Sequence, residues 1–287
     1  MQKRPYTDEV SGRNFFFLSL LFCSASVAAF AADACTLSTA KPVQGSVIRL
    51  TCSAEVSSAH IGERSVPLFK QASGEYLGLM PIPANHAAGP AEITFLSSTQ
   101  QAEQTAPITV VDAHFATQNV NLAPGIANLH NTPEEVDLLK GFRQNLTDIR
   151  YWQDHFIEPV PGCMISPFGV KRYRNHKPTG DYHGGVDLRS AAGAPVRAAA
   201  DGTVKMAQLI TVLGNTVGLD HGQGVETIYM HMSKLAVEPG AQVKQGDVIG
   251  YVGTTGRSSG PHLHWTLYVN GVQVNPGQWV KLTVCAK

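Results

Sequence analysis

The sequence predicts a mainly β protein: a small amino-terminal β-sandwich and a carboxy-terminal antiparallel β-sheet domain, joined by a helical connector. Three observations predict it. Short alternating apolar runs, bounded by Gly and Pro, recur along the chain. Asp-Gly and Asn-Gly hairpin signals punctuate its second half. Only one segment carries clear helical spacing. The composition agrees, with 27 Gly and 17 Pro in 287 residues and only 15% charged side chains. That charge content, against about 25% in ordinary chains, argues against a coiled coil or a disordered chain. The 22 basic and 22 acidic residues cancel, so nothing points to a nucleic-acid or membrane-surface partner.

Residues 1–32 read as a signal peptide. Lys3, Arg4 and Arg13 precede an uncharged stretch from Phe15 to Ala32 that ends through Ala29-Phe30-Ala31, the pattern of a basic region, an apolar region and a small-residue cleavage site. About 18 apolar residues would also span a bilayer, so an uncleaved membrane anchor is the lesser reading. A lipoprotein signal at Cys23 or Cys35 fits poorly, because the residues before each lack a Leu-small-small pattern. Either way the protein is expected in the periplasm or outside the cell. Cys23 would leave with the signal, and Cys35, Cys52, Cys163 and Cys285 remain. Four cysteines allow three pairings. The favoured one joins Cys35 to Cys52 inside the first domain and Cys163 to Cys285 across the ends of the second. A zinc–thiolate site is the rival, and the absence of any Cys-x-x-Cys speaks against it.

Residues 33–115 form the expected β-sandwich, with strands at Ser46 to Leu50, Ala91 to Leu96 and Pro107 to Val111 and turn residues such as Pro81, Pro83, Asn85 and Gly89 between them. No cluster in this part suggests chemistry, so it reads as a spacer, lid or docking module. Residues 116–160 are the expected connector. Thr132, Pro133 and Glu135 make an N-cap, a first-turn proline and a capping-box partner. Leu139, Phe142, Leu146 and Ile149 then recur at helical spacing. Residues 161–287 return to β structure, with turns at Asp201-Gly202, Leu213-Gly214-Asn215, His221-Gly222 and Asn270-Gly271.

Six of the 11 histidines fall in this last part: His176, His183, His221, His231, His262 and His264. In a strand, side chains alternate between faces. His262 and His264 would therefore share one face with Thr266 and Tyr268, while Leu263, Trp265, Leu267 and Val269 take the core face. His183 and Asp187, four apart around Gly184-Gly185, would lie on one side of an extended segment. The glycines let the backbone approach a neighbour closely. Tyr229 and His231 are expected to share a face of another strand. Each pair alone is ordinary core or turn material.

Together these segments resemble the lysostaphin/LytM-type zinc metalloendopeptidases, which cut peptidoglycan cross-bridges. The resemblance spans about Ser166 to Val274. It rests on Ser166-Pro167-Phe168-Gly169, His183-Gly184-Gly185-Val186-Asp187, Gly193 to Gly202, Gly214 to Val217, Asp220-His221-Gly222, Tyr229-Met230-His231-Met232 and Gly256 to Trp265. Met232 stands where the family commonly has Leu, a swap that cores absorb at small cost.

The resemblance implies one Zn2+ held by His183, Asp187 and His264, with His231 and His262 as the catalytic pair. His221 falls at a position the family does not use for metal, and is assigned to a turn. His176 has no counterpart and is left as a substrate-side or surface residue. Three protein ligands leave the fourth zinc position open, as a catalytic site requires. The implied function is hydrolysis of peptidoglycan peptide cross-links, of the D-alanyl-diaminopimelate type for an exported chain with this disulfide pattern. A Gly-Gly endopeptidase and a non-catalytic activator of other wall hydrolases are the alternatives. Further expectations are control by an envelope protein, or autoinhibition by the first domain or by the Lys171 to Tyr182 segment, which reads as a mobile rim.

Overall fold

The computed structural model describes residues 34–153 and 155–286. The expected signal peptide at residues 1–32 lies outside the described residues. Among the described residues no helix is long and apolar enough to cross a membrane.

The chain is mainly β, as the alternation requires. The amino-terminal part contributes β1 (Cys35–Leu37), β2 (Val47–Cys52), β3 (Ser58–Ile61), β4 (Arg64–Lys70), β5 (Tyr76–Pro81), β6 (Gly89–Leu96) and β7 (Ala102–Val110), hydrogen-bonded in the order β1-β2-β5-β4-β3-β6-β7. Strand β4 divides its pairing: Arg64 to Pro67 oppose β3, and Leu68 to Lys70 oppose β5. The sheet therefore turns back on itself, and Ile48 and Leu50 of β2 share one buried cluster with Ile93 and Phe95 of β6. Cys35 and Cys52, register partners on β1 and β2, form a disulfide.

Next come β8 (Thr117–Val120), α1 (Pro124–Ala127) and α2 (Pro133–Arg143). The capping box is formed at the start of α2: the Glu135 N–H donates to Thr132 Oγ1 at 3.3 Å, and the Thr132 N–H donates to Glu135 Oε2 at 2.9 Å. Leu146 and Ile149, expected on the apolar face of this helix, lie beyond its end and are exposed. The physical reason is a competing set of bonds. Asn145 Nδ2 and Thr147 Oγ1 donate to the Asp220 carboxylate, and the Gln223 N–H takes the Thr147 carbonyl at 2.7 Å. The chain is stitched down before another helical turn can form.

The carboxy-terminal part supplies β9 (Cys163–Ser166), β10 (Lys171–Arg174), β11 (Lys177–Tyr182), β12 (Val186–Arg189), β13 (Pro195–Arg197), β14 (Gly202–Ile210) and β15 (Gly214–Gly222). It continues with β16 (Val225–Met232), β17 (Lys234–Leu235), β18 (Gln242–Val243), β19 (Val248–Tyr251), β20 (Leu263–Val269) and β21 (Val272–Val274). The main sheet runs β18-β14-β15-β16-β20-β12-β9, antiparallel throughout, with β21 also on β20. Asn270 and Gly271 join β20 to β21 with φ of 46° and 74°, the paired left-handed geometry of a tight hairpin. One face carries the larger core, including Trp265, Leu263, Leu267, Tyr229 and Leu188. At one end of the opposite face, Met206, Ile228, Met230 and Tyr268 are covered by Phe142 of α2. The rest of that face holds the histidines.

Two small sheets flank it, β13-β19-β17 and β11-β10-β8. In the second, β8 runs parallel to β10 from Thr117 beside Lys171 to Val120 beside Arg174. The segment expected as a mobile rim is thus a β-hairpin with a third strand added from before the main sheet. A second disulfide joins Cys163 to Cys285 across 122 residues.

Candidate metal centre

Strand β20 builds the floor of the site. Leu263, Trp265 and Leu267 are wholly buried on its core side, so His264 and Thr266 face the other way, as the alternation predicts. Asp187 on β12 and Met230 on β16 are the register partners of His264 on its two sides. Opposed residues of antiparallel strands share a face, and the Asp187 carboxylate therefore meets the His264 ring. His183 enters from the Gly184-Gly185 approach. A Cβ on Gly185 would collide with the Trp265 carbonyl oxygen, so this close approach needs glycine.

Three candidate ligand atoms converge. His183 Nε2 lies 3.0 Å from Asp187 Oδ1 and 3.0 Å from His264 Nδ1, and His264 Nδ1 lies 2.7 Å from Asp187 Oδ1. The His183 Nδ1–H donates to the Pro167 carbonyl at 2.8 Å. A carbonyl can only accept, so Nδ1 carries the proton and Nε2 presents its lone pair inward. His264 pairs its outer nitrogen with Thr266 Oγ1 at 2.9 Å. Two imidazole nitrogens and a carboxylate oxygen aimed at one point repel one another unless a cation lies between them. A His–Asp–His set with this second layer of hydrogen bonds suits zinc. The donor set fits the ion that the resemblance implies.

Electrostatics agree with that fit. Burial alone would raise the Asp187 carboxyl, but the His183 and His264 imidazoles hold it well below the usual carboxylate range. Burial pushes His264 down to about 4, which keeps it neutral and able to ligate at ordinary pH.

His231 and His262 stand beside this centre, their ring centroids 5.0 Å apart, and His231 lies 6.2 Å from the ring of His264. Each is anchored through Nδ1, His231 to the Thr255 carbonyl at 2.8 Å and His262 to the Gly260 carbonyl at 2.8 Å. Neither Nε2 makes a hydrogen bond among the described residues, and that of His262 lies 3.7 Å from Asp187 Oδ1. Burial, reinforced by the neighbouring His262 and His264, pushes His231 down to about 3.

Tyr229 and His231 do not share a face as strict alternation implies. Tyr229 is wholly buried in the larger core, where its phenol oxygen accepts a hydrogen bond from the Ala199 N–H at 2.9 Å. His231 has φ of +64°, a left-handed conformation uncommon for a side-chain-bearing residue, and this twist at the end of β16 carries its ring to the His262 side. Such strain is characteristic of functional positions.

The remaining histidines lie elsewhere. His221 is buried on the core side between the Asp201 carbonyl and Thr227 Oγ1, each at 2.7 Å, and burial pushes it down to about 4. His176 is exposed in the β10–β11 turn, where its N–H donates to Asn119 Oδ1. Neither borders the centre. Arginine and serine partners went unrecognised in the sequence: Arg172 Nη2 donates to Asp187 Oδ2 at 2.9 Å and to Ser166 Oγ at 3.1 Å, and Ser166 Oγ donates to Gln118 Oε1 at 2.8 Å. The signal for Arg172 was the basic run Lys171 to Arg174, and Ser166 stood in the Ser166-Pro167-Phe168-Gly169 motif without a role. The three candidate ligands, His231 and His262 border one cavity of about 830 Å3, lined in part by the β8-β10-β11 sheet.

Comparison with known proteins finds peptidases among those this chain resembles. Residues 181–276 match the family described as Peptidase family M23. The chain is 46% identical over 123 residues to the DD-carboxypeptidase/endopeptidase Mpg of Neisseria meningitidis, covering 42% of this chain and 28% of that one. It is 41% identical over 105 residues to the peptidoglycan DD-endopeptidase ShyC of Vibrio cholerae, covering 36% of this chain and 24% of that one. The chain thus spans less than a third of the length of these relatives. A solved structure assigned to peptidase M23 from Pseudomonas aeruginosa aligns over 83% of this chain and 94% of its own, at 26% identity and a TM-score of 0.62.

Proposed function

We propose that the chain, whose residues 181–276 match Peptidase family M23, is an exported zinc endopeptidase hydrolysing peptide cross-links of bacterial peptidoglycan. The observation that carries this reading is the convergence of His183 Nε2, Asp187 Oδ1 and His264 Nδ1 within 3.0 Å of one another, beside a second histidine pair. These three residues would hold a single Zn2+ per chain. Bound there, zinc supplies Lewis acidity that polarises the scissile carbonyl and acidifies water.

The protein's own groups do the rest. His231 and His262, locked by backbone carbonyls at Nδ1, border the cavity with Nε2 atoms that make no hydrogen bond among the described residues. Between them they take a proton from the attacking water and return one to the leaving amine. The depressed basicity of His231 keeps the ring neutral, so its Nε2 presents a lone pair as an acceptor for the water proton. Filled ligand and histidine positions support catalysis over a purely activating role. Two disulfides suit an oxidising compartment, in keeping with a periplasmic or secreted site of action.

The substrate we favour is the D-alanyl-diaminopimelate cross-link, supported by the DD-endopeptidase named among the relatives; the Gly-Gly bridge is the alternative. The test is incubation of the purified mature protein with both kinds of cross-linked peptide, with and without chelator, together with metal analysis. Loss of the diaminopimelate dimer only without chelator is expected. Unchanged dimers under both conditions would defeat the hydrolase reading.

A further inference from the structure

Two arginines in the cavity have no role in the chemistry above. Arg174 follows Arg172 by two positions on β10, and both Arg174 and Arg257 line the cavity that His183, Asp187 and His264 border. Arg257 sits in the loop before His262, next to Ser258, whose Oγ lies 3.3 Å from His262 Nδ1. Its backbone is fixed by an N–H bond to the Val212 carbonyl at 2.8 Å, and its guanidinium reaches the Leu129 carbonyl at 3.3 Å. Among the described residues no carboxylate forms a hydrogen bond or ion pair with either guanidinium. Arg257 is half-buried, and burial together with the like charge of Arg174 lowers its hold on its proton, with Asp181 opposing. Two cations kept together in a groove repel each other, and a guanidinium fork matches a carboxylate with two parallel hydrogen bonds.

We propose that Arg174 and Arg257 form a carboxylate subsite that grips the free carboxylate on the carbon bearing the scissile nitrogen. The inference rests on the peptidase reading and sharpens its substrate. In a D-alanyl-diaminopimelate link, the carbon attached to the amide nitrogen carries a carboxylate. In a Gly-Gly bridge that carbon carries two hydrogens and the next amide carbonyl, and no free carboxylate. The subsite therefore selects the first class of bond and holds the leaving-amine side in register with His262. It equally suits a peptide ending in D-Ala-D-Ala, whose terminal carboxylate occupies the same position relative to the bond.

The experiment compares two synthetic cross-linked peptides, one with that carboxylate free and one with it converted to the carboxamide. Both are given to the zinc-loaded full chain and to the R174Q, R257Q and R257K variants, with zinc content and melting temperature as checks on folding. The readout is the ratio of kcat/KM between the two peptides. Wild type is expected to prefer the free carboxylate roughly ten- to a hundredfold, the range of a charge-assisted hydrogen-bond pair. The ratio is expected to fall toward one in R174Q and R257Q and to lie between in R257K, which keeps charge but loses the fork. If neither peptide is cut, the hydrolase reading fails, and the ratio of Kd values on the same proteins becomes the readout. Equal handling of the two peptides by wild type, or an unchanged ratio in both Gln variants, would overturn the subsite.

Discussion

Arg172 and Asp187 share one hydrogen bond at 2.9 Å, made to Oδ2, while Oδ1 of the same carboxylate lies 2.7 Å from His264 and 3.0 Å from His183. One oxygen faces the ligand cluster and the other is held by a guanidinium. Arg172 therefore acts as a positioning residue. Replacing it with Ala should weaken zinc binding about 10- to 100-fold, the usual effect of losing an outer-shell partner. Chelator competition measures this, and an affinity unchanged within twofold would mean that Asp187 is oriented without Arg172.

His231 and His264 should separate in kind. His264→Ala is expected to lose both zinc and activity. His231→Ala is expected to keep its zinc and lose about 10^2- to 10^4-fold in kcat, the range for a general acid or base. Metal analysis beside the kinetics decides. Loss of zinc from the His231 variant would reassign it as a ligand.

Stability should fall with rising pH through Glu226. This residue is buried, neither carboxylate oxygen has a partner among the described residues, and burial, aided by the facing Asp220, raises it to about 9 against the attractions of Arg143 and Lys205. Below its ordinary value of 4.5 the side chain is protonated in both folded and unfolded chains. Between 4.5 and about 9 the unfolded chain ionises while the folded one stays neutral, so folding must take up a proton and stability drops. Glu226→Gln should match wild type near pH 4 and melt at a higher temperature at pH 8. Parallel melting curves at both pH values would sink the assignment.

The Cys163–Cys285 disulfide closes a loop of 122 residues. Substituting both cysteines by Ser should cost roughly 2–5 kcal/mol, the range for native bridges over long loops. Denaturant titration of the two forms measures it.

Much of the centre was legible because strand alternation is strict. The placement of His264 opposite a Leu263–Trp265–Leu267 core face follows from period two alone, and the glycines before Asp187 signalled a close backbone approach. Four cysteines left three pairings open, and the favoured one, Cys35–Cys52 with Cys163–Cys285, is the one formed. His231 was misplaced relative to Tyr229 because a single left-handed residue inverts the alternation, and no residue type announces that for histidine. The helix end at Arg143 was missed for another reason: Asn145 and Thr147 find Asp220 far along the chain, and a long-range bond leaves no periodic trace. The roles of Arg172, Arg174 and Arg257 depend on which strand lies beside which, and that pairing emerges only in three dimensions.

The strand Thr117–Val120 belongs to chain preceding the main sheet, yet it completes the small sheet lining the cavity and supplies Gln118 to Ser166. A fragment trimmed to start at Cys163 would keep every candidate ligand and both further histidines and still differ from the parent. It would carry a hairpin with a raw edge, and an arginine–serine pair short of one anchor. Kinetics measured on such an excised piece would describe a reshaped groove, and comparisons of substrate preference belong with the longer protein.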